Sequence, residues 1–174
     1  DSHAQSSNGS IILAEGFAAA NTYGGPLPGF FESWCADTED GSRCIPTASL
    51  DAFDAKKARR LGALHAWGKD FRSNGSGTLQ FKEFILYDLR DGQLYTLSQE
   101  GGHPGGAFAD VSLIIPKHGD MVLLGGAEGL VIGGTGRYSG ATGPYSTRLK
   151  VETIGGFFAY YDELFIRFRH VDIQ

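Results

Sequence analysis

Two cysteines and one methionine in 174 residues leave little material for thiolate or thioether metal ligands, and neither a Cys-x-x-Cys nor a His-Glu-x-x-His pattern occurs. The five histidines, His3, His65, His103, His118 and His170, are scattered, so no metal site is expected. Fifteen Lys and Arg against twenty Asp and Glu give a formal charge of −5 and a pI near 5.5, which argues against nucleic acid as a partner. No apolar stretch approaches the roughly 18 residues of a membrane-crossing helix, so no membrane span is expected. The Gly-x-Ser-x-Gly elbow of Ser-His-Asp hydrolases is absent. Alternating strand and helix patterns, which build parallel sheets, are absent as well.

Glycine is abundant instead. There are 26, about twice the usual share of roughly 7%, without a collagen period. Such a surplus in an otherwise ordinary composition, 41% hydrophobic and 20% charged, points to one globular domain over 1–174, rich in turns, bulges and close backbone approaches. Residues 10–20 read as a first strand. Residues 21–48 have three prolines and no clean period, yet carry Tyr23, Phe30, Phe31 and Trp34, so an ordered long loop is expected. Good helix formers after Ser49, a plausible N-cap, predict one short helix over 49–60. From 61 onward the pattern is β. The clearest hairpin turns at Asp91-Gly92, a second pair turns at 118–120, and a third turns at Gly155-Gly156. Seven or eight mostly meandering strands predict an eight-stranded antiparallel β-barrel, because closure removes exposed edges.

Three features bear on compartment. Asn8-Gly9-Ser10 and Asn74-Gly75-Ser76 fit the N-glycosylation sequon. Cys35 and Cys44 flank an acidic loop; a bridge would close a short ring of chain, the alternative being two free thiols. Asp rather than Met stands at position 1, so a leader already trimmed is expected. Together these favour a secreted protein or one in the secretory lumen.

The stretch GGTGRYSGATG, 133–143, looks like a phosphate-binding loop. It fails as a dinucleotide fingerprint because the glycine spacing is one residue too long and Pro144, not a helix, follows. The Gly-Lys-Ser/Thr of a P-loop is absent. The run Ile132, Gly133, Gly134, Thr135, Gly136, Arg137, Tyr138, with Gly140, Ala141 and Gly143, instead resembles the glycine-rich signature of dirigent proteins and the allene oxide cyclase-like barrels. The resemblance covers residues 75 to 172, and the first 60 residues depart from it. It implies a cavity that holds a reactive apolar intermediate and dictates its closure or coupling without a cofactor. It also implies a homodimer or homotrimer, in line with strands that are hydrophobic on two sides.

Strand alternation nominates the chemistry. Glu83 shares a face with Leu79, Phe81, Ile85 and Tyr87, where apolar neighbours would raise its pKa and make it a proton donor; pairing with Lys82 or an Arg is the alternative. The last strand offers Tyr161 and Phe165 on one face. Arg148 and Lys150 share a face and suit an anion or a carbonyl, or simply water. His65 and Trp67 share a face of another strand, as ligand contacts or as packing. The resemblance implies a cofactor-free cyclase closing or coupling a reactive intermediate, Diels–Alder or hetero-Diels–Alder closure among the options, on a small apolar, aromatic or polyene substrate; Glu83, Tyr87, His65, Arg148, Lys150 and Tyr161 are the catalytic candidates. Tyr23, Phe30, Phe31, Trp34, Trp67, Phe81 and Phe165 are the candidate substrate contacts, the loop serving as a lid across one barrel end. The alternatives are a small-molecule carrier of lipocalin-like shape and a carbohydrate-binding β module.

Overall fold

The computed structural model describes residues 9–18, 20–73, 78–98, 111–117, 120–154 and 158–173; Asn8 and Asn74 lie outside them. The strands are β1 (Gly9–Ala18), β2 (Ile45–Phe53), β3 (Arg60–Ser73), β4 (Thr78–Leu89), β5 (Gly92–Ser98), β6 (Val111–Lys117), β7 (Asp120–Gly134), β8 (Gly143–Ile154) and β9 (Phe158–Arg169). All pairings are antiparallel. Their order, β3-β2-β1-β9-β8-β7-β5-β4, returns to β3 through a β3–β4 ladder, so the sheet is a ring. β6 pairs with the start of β4 and the start of β7, and therefore occupies the same position in the ring as β5.

Period-two alternation sorts the side chains. One set from every position of the ring meets in a single core: Ile12 and Ala14, Leu50 and Ala52, Leu64 and Ala66, Ile85 and Tyr87, Leu94, Val131, Tyr145 and Leu149, Ile166 and Phe168. That set lines the ring interior. At one end of the ring the glycine-rich turn folds under the strands. Its Thr135 and Arg137 amides donate to the carbonyls of Gln93 and Asp91 at 2.9 and 3.0 Å. Tyr138 from this turn and Val171 from the C-terminal tail are buried in the core. Gly136 has φ +57, and a Cβ there would stand 2.5 Å from the Asp91 carbonyl oxygen, so only glycine makes this turn. The motif is an end plug.

Three expectations about layout change. The segment 49–60 is not a helix: 45–53 is strand β2, and Asp54 then caps a turn by accepting from the Lys56 and Ala58 amides. Pairing of Leu50 with Leu64 and Ala52 with Gly62 overrides local helix propensity. The one α-helix among the described residues is α1 (Phe31–Ala36), inside the long loop. That loop does not cross an end of the ring. It lies as a strap along the outside of the wall, where Phe31, Cys35 and Cys44 bury against Trp67, Phe84, Leu86 and Tyr95. These wall residues are the opposite set from Leu64, Ala66, Ile85 and Tyr87.

Candidate functional site

The strap is held by completed interactions. Cys35 and Cys44 form a disulfide. Phe31, Trp67 and Phe84 meet ring to ring at 5.2 to 5.5 Å. Lys69 is buried, yet its Nζ donates to the carbonyls of Trp34 and Asp37 at 2.6 Å each and lies 4.6 Å from the Trp34 ring. Ser49 Oγ accepts the Thr22 amide at 2.8 Å and shares a hydrogen bond with His65 Nδ1 at 2.6 Å. Tyr23 packs on His65 at 4.9 Å, and its hydroxyl donates to the Pro26 carbonyl and accepts from Gln93. Burial under the strap lowers the His65 pKa, with the Asp88 charge opposing. Tyr23, Phe30, Phe31, Trp34, Trp67 and His65 thus belong to the outer wall, not to the ring interior, because odd positions of β3 and even positions of β4 face outward.

Arg148, Lys150 and Phe165 also leave the candidate set. In β8 the residues Tyr145, Thr147, Leu149 and Val151 are buried, so the alternate positions face out. Arg148 is exposed with its guanidinium 5.1 Å from the Phe165 ring, and Lys150 stands 3.9 Å from Glu152.

The interior keeps Glu83, Tyr87, Phe81 and Tyr161. Glu83 is 5% exposed and Tyr87 fully buried. Lys82, named above as an alternative partner for Glu83, faces the other way and pairs with Asp70 at 3.2 Å. Tyr161 reaches the inner set through a bulge. Lys150 pairs with Glu163 but Val151 with Tyr161, and the β1 register shifts at the same place, so one extra residue in β9 carries Tyr161 onto the face of Leu164. Two further groups join them that strand alternation in "YSTRLKV" and "QLYTLS" could have exposed: Tyr145 and Thr96, both buried. Gly129 stands opposite Tyr145, and a Cβ there would be 2.6 Å from the Tyr145 ring and 2.1 Å from the Leu97 carbonyl. The missing side chain is what lets the tyrosine lie inward.

Three oxygens of this group are buried without a hydrogen-bond partner: Glu83 Oε1, Tyr87 OH and Tyr145 OH. Thr96 lies near both phenols and loosely reaches the Ile85 carbonyl at 3.5 Å, but no well-aligned bond satisfies either hydroxyl. Burial pushes the Glu83 carboxyl well above the usual carboxylate range, which favours its protonated form. Burial pushes Tyr87 and Tyr145 upward, with Tyr145 and Glu83 adding to the rise at Tyr87 and Glu83 to that at Tyr145, and burial and Glu83 push Tyr161 up to about 12. The arrangement is a set of neutral O–H donors in an apolar enclosure, suited to stabilising negative charge that develops on an oxygen. Among the described residues no cluster of His, Cys, Asp and Glu has metal-binding geometry. No helix among them is long and apolar enough to cross a membrane. In comparisons with known proteins, no protein-family model matches the chain and no curated protein is similar to it.

Proposed function

We propose that the ring is a barrel whose interior is an active site, and that the protein is a cofactor-free, stereoselective cyclase closing or coupling a reactive, quinone-methide-like intermediate in a Diels–Alder or hetero-Diels–Alder manner. One observation carries this reading: the Glu83, Tyr87 and Tyr145 oxygens are buried together in the core with no partner in the protein. Each such group costs about 1–3 kcal/mol of folding free energy, and a cost concentrated at one place is characteristic of a site that meets its partner in a ligand. The resemblance of Ile132–Tyr138 to the dirigent-type signature supports the same assignment. Mechanistically, the enclosure orients two reacting ends. A carbonyl oxygen facing the phenols gains hydrogen bonds that strengthen as charge shifts onto it, and Glu83 supplies a proton if the product needs one. The disulfide supports a secreted setting.

The test is product stereochemistry. An ortho-quinone methide released in buffer with a vinyl ether gives a racemic chroman; with the protein present, chiral chromatography should show an enantiomeric excess that falls in Tyr145→Phe. A racemic product would contradict the cyclase, and the quinone methide's precursor found bound and unchanged would identify a carrier.

A further inference from the structure

The charges of this molecule are distributed unevenly between the two faces of its wall. Among the described residues the only buried basic side chains are His65 and Lys69, and both belong to the strap side, where Ser49 and the Trp34 and Asp37 carbonyls occupy them. Lys82 pairs outward with Asp70, Arg60 with Asp51, and Arg148 lies on Phe165. The buried polar groups of the inner face are Glu83, Thr96, Thr147 and the phenols Tyr87 and Tyr145. Thr147 is already engaged, its Oγ1 accepting the Ala127 amide at 3.1 Å. An anion placed inside would meet no counter-charge, and its desolvation would go uncompensated. What the inner face has in excess is O–H donors.

We propose that the interior takes an uncharged ligand and holds it through an oxygen that accepts hydrogen bonds from Tyr87, Tyr145 and Glu83. This deepens the assignment of the interior as a ligand site and rests on it. The ligand class is a neutral carbonyl or ether compound with an apolar body; carboxylates, phosphates and ammonium compounds are excluded. Apolar enclosure alone would already disfavour ions, so the discriminating feature is the oxygen. A site with unpaired donors rejects an isostere that leaves them unpaired far more strongly than a merely apolar site does.

Four probes with one skeleton separate these terms: acetophenone, α-methylstyrene (the same shape without the oxygen), benzoate and benzylammonium. Titrated at pH 7 against the full chain by NMR, acetophenone should bind, with shifts at Tyr87 and Tyr145. The other three should each bind on the order of tenfold more weakly or worse. The double variant Tyr87→Phe/Tyr145→Phe, which removes two hydroxyls and no packing volume, should bring acetophenone and α-methylstyrene to within about twofold of each other. Equal binding of acetophenone and α-methylstyrene by the unaltered protein would overturn the proposal and leave an apolar ligand site standing. Tighter binding of benzoate or benzylammonium would overturn it by showing a charged ligand, again with the site intact. Binding of none of the four would overturn both the proposal and the ligand-site assignment beneath it.

Discussion

The two faces of the β3–β4–β5 wall carry similar residues and treat them differently. Outside, under the strap, His65, Lys69, Tyr23, Gln93 and Tyr95 are each tied to a named partner. Inside, at the same height, Glu83, Tyr87 and Tyr145 each keep an oxygen with none. Aromatic rings line both faces, so composition does not separate them. Satisfaction does. A buried polar group with a partner rigidifies the fold, while one without destabilises it and marks a place where something else is meant to bind.

The largest expected break in this contrast comes from the outer cluster. Phe84 is fully buried among Phe31, Trp34, Trp67 and Tyr95. Phe84→Ala should cost about 3–5 kcal/mol, read from urea unfolding, while the product ratio of the surviving folded protein at low temperature stays unchanged. A changed product ratio would mean that the strap does belong to the site.

Next in size is the disulfide. Replacing Cys35 and Cys44 by Ala frees a short ring of chain and should lower stability by about 2–3 kcal/mol, again with selectivity kept. No change in midpoint would show that the outer cluster holds the strap unaided.

Smaller, and of opposite sign on the two faces, are the pH slopes. His65 has its folded pKa below the ordinary 6.5. Its contribution is therefore fully present above pH 6.5 and lost as pH falls toward the folded value. Glu83 has its folded pKa above the ordinary 4.5. Its contribution is present below pH 4.5 and lost as pH rises toward the folded value. Each slope is at most about 1.4 kcal/mol per pH unit. Relative to the unaltered protein, His65→Gln should make stability fall more steeply with rising pH between 4.5 and 6.5, and Glu83→Gln should make it rise. Parallel curves for all three proteins would refute the assignment of these two groups.

The smallest effect is the most pointed. Tyr145→Phe removes a hydroxyl with no partner, so it should raise stability by up to about 1 kcal/mol while weakening ligand binding. A loss of stability would mean that the hydroxyl is satisfied after all.

How much of this was legible beforehand follows from which interactions are local. Alternation in 78–89 placed Phe81, Glu83 and Tyr87 on one face, and the ring confirms it. The same rule failed for Tyr161, because a single extra residue in β9 switches faces and nothing local announces a bulge. In β8 the charges of Arg148 and Lys150 admit either a ligand or water, and the burial of Tyr145, Leu149 and Val151 on the other face turns the two cations to the outside. The aromatic loop was rightly expected to be ordered, but a loop that packs on a wall and one that packs over an end have the same composition. Only the long-range packing of Phe31 and Cys35 on the outer positions of β3 and β4, with the bond from Lys69 of β3 to the Trp34 carbonyl, decides it.

The most direct test of the central claim, that the partner-less inner oxygens await a ligand, is a crystal structure of the protein with acetophenone bound. The account predicts the carbonyl oxygen inside the ring, within about 3.2 Å of Tyr87 OH, Tyr145 OH or the Glu83 carboxyl. A probe seated against the strap or on the outer face, with those three oxygens bonded to fixed internal waters, would contradict it.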